Sequence, residues 1–406
     1  MADTKILTKA KRDKKDEFYT QRVDIEQSDR LTSSNFGIFS FFTGAGFLDL
    51  GFENAGFAPM MANEINPNFT TVYRYSREHM GIAPPKFGLD VGDVCAFIDD
   101  KEKAAELGHY MAEARGLCKM IGFVGGPPCP DFSIAGKQAG STGKHGHLSQ
   151  VYLDLICRNK PDFFVFENVK GLWRTAKHRA FFDAIVKQAK NNGYLVTTRL
   201  INALEYGAPQ YRERIIFIGI RKDLCPEQAD GGDGTLANFP WEKNIQYNMA
   251  DLQTLDWPKT DAFVENGDLP MPKSVIHPLT IEAWFKHNDV EHHPNANDYF
   301  NPRAGLEKMR RFDEGDDSRK CYKRPHRWRF APTAAYGNNE VHLHPYKARR
   351  MSVAETLAIQ SLPKEFALPP EISLSAKFKT IGNGVPYLAA RGVAKTLKEY
   401  LEGLVK

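Results

Sequence analysis

Contiguous apolar runs, each closed by turn residues, punctuate the first half of the chain. They are Gly37-Ile38-Phe39-Ser40-Phe41-Phe42, the run from Ala58 to Asn63, Met120-Ile121-Gly122-Phe123-Val124, and Pro161-Asp162-Phe163-Phe164-Val165-Phe166. Short uninterrupted runs of this kind predict strands buried on both faces, as in a parallel sheet. After the first run comes Thr43-Gly44-Ala45-Gly46-Phe47, and then Leu48, Phe52 and Ala55 at helical spacing. Residues 37–63 therefore read as strand, glycine turn, helix, strand. A further strand over 211–220 alternates so as to put Arg212 and Arg214 on one face and Glu213 on the other. The pattern predicts an α/β fold whose strands end along one edge of an open sheet, where ligands of such sheets bind.

Chemistry-bearing residues gather at those predicted strand ends. Glu64 follows the second strand, ~20 residues after the glycine turn, the place where a βαβ unit puts an acid on ribose hydroxyls. The G-x-G lacks the third glycine of the dinucleotide fingerprint, and a turn with only a packing role fits it equally well. A third run ends at Gly92-Asp93-Val94, again an acid at a strand end. Three such ends favour an adenosine-type cofactor. The fourth strand stops against Gly125-Gly126-Pro127-Pro128-Cys129-Pro130. Glycine and proline together make a stiff turn, and this one presents a single thiol, Cys129. The alternative is a buried structural cysteine. Glu167 closes the 161–166 strand and is either a working acid or a helix cap. Paired arginines at 212 and 214 suit a phosphate or carboxyl partner, or a structural ion pair.

Composition narrows the setting. The 406 residues are 42 % hydrophobic with a net charge of +4, enough for a large core and mildly suited to a polyanion. Six cysteines without a C-x-x-C pair argue against a disulfide framework or a zinc ribbon. No run of ~18 apolar residues occurs, and Met1 to Arg30 lacks the apolar stretch of a signal peptide, so a soluble, cytoplasmic protein is expected. The basic arm Lys9–Lys15 reads as a solvated segment or a phosphate contact. His145 and His147 lack a third ligand, and no metal is assigned.

Five motifs then occur in a telling order: Phe42-x-Gly44-x-Gly46, Gly125-Gly126-x-Pro128-Cys129, Glu167-Asn168-Val169, Gln210-x-Arg212-x-Arg214 and Gly382-Asn383-Gly384-Val385. Together they resemble the ordered motifs of the DNA cytosine-5 methyltransferases, over about 37–220 and 346–400. The resemblance implies a Rossmann-like S-adenosylmethionine-dependent methyltransferase sheet with a smaller, variable target-recognition domain. It implies boundaries of 1–36 for an arm, 37–221 for the catalytic domain, 222–345 for target recognition and 346–406 for a segment that returns to the catalytic domain. Phe42, Gly44, Ala45, Glu64, Ile65, Asp93, Val94, Pro128, Leu148, Asn383 and Val385 would contact S-adenosylmethionine. Cys129 would be the nucleophile that adds to C6 of an extruded cytosine. Glu167 would donate to N3, for which burial can raise a carboxyl pKa. Arg214, with Arg212 beside it, would stabilise charge developing on the base.

This chain departs from the family pattern in places. Ser40 stands where an acid often lies, Phe47 replaces the last turn glycine, and Pro130 stands where glutamine is common. Ser133, Lys137 and Gln138 match the family's DNA-contacting mobile loop. In 222–345 the basic stretch Arg319–Arg329 interleaves with Tyr322 and Trp328, which points to Lys323, Arg324 and Arg327 as DNA contacts, against the plainer reading of a solvated basic face. Ser352-x-x-Glu355 predicts a capping box. The expected activity is sequence-specific methylation of duplex DNA by a monomeric modification enzyme of a bacterial restriction-modification system, with a cognate endonuclease acting separately on the same site. Methylation of transfer RNA, or an inactive nucleic-acid-binding relative, are the alternatives. The target sequence is not legible, because no code links this segment to bases.

Overall fold

The structure is a computed structural model and describes residues 34–128, 146–174, 176–302, 305–319, 321–333, 336 and 341–405. By internal contacts the chain divides into two compact units.

The first unit comprises, among the described residues, 34–202, 213–245 and 389–405. It holds a seven-stranded sheet in the order β3-β2-β1-β4-β5-β7-β6. The strands are β1 (Phe36–Phe41), β2 (Ala58–Asn63), β3 (Leu89–Asp90), β4 (Met120–Gly125), β5 (Phe163–Val169), β6 (Tyr194–Asn202) and β7 (Glu213–Arg221). β1 to β5 run parallel, and β7 enters antiparallel between β5 and β6. β1 and β4 are buried along their whole length, as uninterrupted apolar runs require of a sheet covered on both faces. Helices α1 (Phe47–Glu53), α2 (Pro67–His79), α3 (Lys101–Leu117), α4 (Gly146–Asn159) and α5 (Ala176–Asn191) connect the strands. Two expectations shift here. β3 is only two residues long, so Asp93 lies in the turn beyond it. Asp90 is the acid at that strand end, bonded by Asn63 Nδ2 at 2.7 Å and Lys103 Nζ at 2.7 Å.

The second unit comprises 203–212 and 246–388. It is built from short helices, α6 (Ile281–His287), α7 (Val353–Ile359) and α8 (Leu374–Asn383), and long irregular connections. The capping box expected at Ser352 forms, with Ser352 Oγ accepting from the Glu355 N–H at 3.2 Å and Glu355 accepting from the Ser352 N–H at 2.7 Å. A last helix, α9 (Tyr387–Leu404), carries the chain back to the sheet unit. By compactness the boundaries therefore fall differently from 222 and 346. Residues 222–245 stay with the sheet, and the return begins at 389.

Polar side chains take the place of regular structure inside the second unit. Arg324 is fully buried and donates to the carbonyls of Phe312 (2.8 Å), Met309 (2.6 Å), His344, Pro345 (3.3 Å) and Lys347 (3.1 Å). Arg327 is paired with Glu314 through two bonds of 2.8 Å and donates to the Gly267 carbonyl at 2.8 Å. Both arginines were expected on DNA. Burial instead commits them to the interior, where they tie loops that lack strands of their own to satisfy backbone carbonyls. Lys323 remains half-exposed beside them.

Two buried histidines make this unit acid-sensitive. Burial pushes His342 down to about 3, with Lys323 adding to the effect, and drives His344 well below its ordinary value. Both fold neutral, while the unfolded chain takes up a proton near pH ~6.5. The unfolded state therefore binds more protons below that pH, and stability is full above it and lost as pH falls. We expect a loss of up to ~1.4 kcal/mol per pH unit for each histidine. Urea midpoints at pH 7.5 and 5 check this, and His342→Phe should flatten the dependence.

Candidate active site

The sheet unit places Phe42, Gly44, Ala45, Glu64, Ile65, Pro128 and Glu167 at or just past the carboxyl ends of β1, β2, β4 and β5. After β1 the chain turns sharply, with Phe42 at φ 54, Gly44 at φ 58 and Gly46 at φ 80. Glycine is needed at 46, where a Cβ would stand 2.7 Å from the Tyr73 ring. At 44, among the described residues, no atom lies within 4 Å of where a Cβ would stand. Glu64 lies just after β2, 7 % exposed, and receives the Gly44 N–H at 2.9 Å and the Asn66 N–H at 2.8 Å. Burial raises its carboxyl, and those backbone bonds oppose the rise. Ile65 beside it is 60 % exposed. Asp93 accepts the Cys95 N–H at 3.0 Å, and Val94 is buried against the core. Leu148, on α4, packs on the same core, Ala45 is buried, and Pro128 is exposed just past β4.

At the end of β5 stands a buried ion pair. Glu167, in β5, and Arg214, in β7, meet at 2.8 Å from Oε1 to Nε, with side chains 12 % and 13 % exposed. The antiparallel register sets them two residues apart across the ladder, with Val169 opposite Arg214 and Ile216 opposite Glu167. Burial pulls the Arg214 guanidinium below its ordinary value, against the opposing pull of Glu167. Gly126 explains why the turn after β4 begins with glycine: a Cβ there would lie 2.7 Å from Glu167 Oε2. The Gly125-Gly126 turn and Glu167 thus share one place.

Cys129, Pro130, Ser133, Lys137 and Gln138 lie outside the described residues. Arg212 differs from expectation. β7 begins only at Glu213, and Arg212 belongs to the other unit, 2 % exposed, donating to the Gly382 carbonyl at 2.7 Å. There it braces the turn at the end of α8, together with Gln360 Nε2 on the Ile381 carbonyl at 2.7 Å. Asn383 and Val385 are part of that turn, Asn383 exposed and Val385 buried. Sequence reasoning missed Asp49, which sits under the glycine turn. The only signal was an acid enclosed by Leu48 and Leu50 in a helix that is otherwise apolar at that point.

A sheet of this order, with a glycine turn after its first strand and carboxylates after its second and in its fifth, defines a Rossmann-like methyltransferase fold. Comparison with known proteins names the class further. The family of C-5 cytosine-specific DNA methylases matches residues 36–399. Type II methyltransferase M.NmeDI of Neisseria meningitidis serogroup C is 55 % identical over 368 residues, 90 % of this chain and 84 % of that protein. Type II methyltransferase M.MthTI of Methanothermobacter thermautotrophicus is 28 % identical, over 91 % of this chain and 99 % of its own. Among solved structures, a DNA modification methyltransferase encoded within an E. coli prophage superposes with a TM-score of 0.57 at 20 % identity, over 90 % of this chain and 99 % of that one. The Entamoeba histolytica methyltransferase EhMeth gives 0.55 at 15 %, over 91 % and 99 %. The chain belongs to the C-5 cytosine-specific DNA methylases and is an enzyme of that class. Among the described residues no helix is long and apolar enough to cross a membrane.

Proposed function

We propose that this enzyme transfers a methyl group from S-adenosylmethionine to C5 of a cytosine extruded from duplex DNA, through a covalent bond between Cys129 and C6. The buried Glu167–Arg214 pair beside the Gly125-Gly126 turn carries the reading. The open face of Gly44, the buried Glu64 carboxylate and the exposed Ile65 fit a nucleoside-type methyl donor, with a hydroxyl partner at Glu64 and an apolar face at Ile65. Bound there, S-adenosylmethionine supplies an electrophilic sulfonium methyl.

C5 of cytosine is a weak nucleophile. Addition of the Cys129 thiolate to C6 makes a C–S bond, breaks the C5=C6 double bond and turns N3–C4–C5 into an enamine-like system whose C5 can attack the methyl carbon. Negative charge develops on N3 and O2 as the thiolate adds. A protonated Glu167 donates to N3, and Arg214 stabilises the charge at O2. After transfer the C5 proton leaves to a base, its electrons re-form C5=C6, the C–S electrons return to sulfur as the thiolate, and N3 gives its proton back to Glu167. The base must leave the stack first, since its ring faces are covered within the helix. The relatives named Type II methyltransferases support a modification role in a restriction-modification system.

Methyl incorporation from labelled S-adenosylmethionine into duplex DNA and into transfer RNA tests the function. We expect incorporation into DNA at a recurring site mapped by bisulfite sequencing. Incorporation into transfer RNA alone, or into neither, would overturn it.

A further inference from the structure

Two hydroxyls beneath the glycine turn converge on one buried carboxylate. Asp49 stands in the first turn of α1, 1 % exposed. One of its oxygens accepts from Ser40 Oγ at 2.6 Å and the other from Thr43 Oγ1. Ser40 is at the end of β1 and Thr43 is in the turn, so the carboxylate grips both sides of Phe42. Phe42 has φ 54, a left-handed conformation that a bulky residue keeps only when its surroundings over-determine it. Further restraints are the Thr43 N–H on the Asn63 carbonyl at 3.1 Å, the Gly46 N–H on the Thr43 carbonyl at 2.9 Å, the Gly44 N–H on Glu64, and the edge-on contact of Phe42 with Tyr152. Packing α1 on the sheet needs only an apolar residue at 49. A carboxylate there is costly to bury unless its bonds are used. Burial does raise the Asp49 carboxyl, while Ser40, Thr43 and the nearby Arg77 oppose that rise. Arg77 is itself locked to Glu53 and lies over the Tyr73 ring, at 5.0 Å from its centroid, and that ring packs on Gly46.

We propose that Asp49 is a positioning residue of the cofactor site, clamping Ser40 and Thr43 so that Phe42 and Gly44 are set for the ligand before it arrives. Asp49 does not itself reach the ligand. The inference rests on the reading of this turn as the S-adenosylmethionine site.

The test uses the full chain and two readouts: calorimetric titration with S-adenosylhomocysteine and the melting temperature of the ligand-free protein. Asp49→Ala should weaken binding about tenfold or more, since charge-assisted bonds are lost on both sides of the turn. Thr43→Val, which removes one bond and keeps the shape, should weaken it about threefold. The exchange Ser40→Asp with Asp49→Ser returns a carboxylate to the same junction from the strand side and should recover much of the loss. If the wild type does not bind, the cofactor reading itself fails. If it binds and the Asp49 variants bind equally well while melting lower, Asp49 serves folding alone and the inference is overturned. Should Asp49→Ala fail to fold, Thr43→Val combined with Ser40→Ala decides, and an unchanged affinity there overturns it.

Discussion

Cys129→Ala should abolish methyl transfer, and with it the covalent complex that the wild type is expected to form on duplex DNA carrying 5-fluorocytosine at the target position. A fluorine at C5 cannot leave as a cation once the methyl has been delivered, so the C5 proton loss that normally precedes elimination is blocked. The C6–sulfur bond then stays, and a complex resistant to denaturing electrophoresis accumulates. Four of the other five cysteines make poor substitutes. Burial pushes Cys95, Cys118, Cys157 and Cys225 each up to about 11, so little thiolate exists on them at neutral pH. Cys129 follows the Gly125-Gly126 turn, where a Cβ at Gly126 would meet Glu167 Oε2. An adduct that persists in Cys129→Ala would move the nucleophile elsewhere. An active wild type that forms no adduct would remove covalent catalysis altogether.

What was legible in the sequence was whatever depends on neighbours along the chain. Buried parallel strands announce themselves as apolar runs, and β2 begins and ends where its run does. The capping box at Ser352 needs only residues three apart. Glu64 was legible because a βαβ unit fixes the spacing between its glycine turn and its acid. Readings failed where the answer depends on partners far away in sequence. Arg324 and Arg327 stand in the most basic stretch of the chain, and nothing local distinguishes a guanidinium facing solvent from one satisfying carbonyls at 309, 312 and 344–347. Arg212 looked like part of a strand, but the short helical turn Ala203–Tyr206 and Pro209 delay β7 until Glu213. Residues 222–245 showed no strand pattern. They are held to the sheet by one parallel bridge, Val196 to Thr235, and by Trp241 Nε1 on Thr197 Oγ1 at 2.9 Å. Asp49 was invisible for the same reason: its partners are a strand end and a turn that only the fold brings over α1.

Glu167→Ala should cost about 10³-fold or more in methyl transfer, the scale of losing a proton donor and an electrostatic stabiliser from one site. It should also destabilise the fold by ~3–5 kcal/mol, because it strands a buried arginine. The two effects have different origins and can be separated. Glu167 and Arg214 face each other at 2.8 Å with little solvent, so each is the other's main compensation for burial. Removing one leaves a desolvated charge, whereas replacing both with apolar groups removes that penalty. The double variant Glu167→Ala with Arg214→Leu should therefore regain most of the lost stability in urea unfolding while remaining inactive. The space beside Gly126 gives a second handle. A Cβ at 126 would meet Glu167 Oε2, so Gly126→Ala should displace the carboxylate and lower kcat without removing any reacting group. If the double variant recovers activity together with stability, the pair is a structural ion pair and the acid that protonates N3 must be sought elsewhere. If Glu167→Ala stays as stable as the wild type and loses only activity, the pair contributes nothing net to folding, and its burial is maintained for the reaction alone.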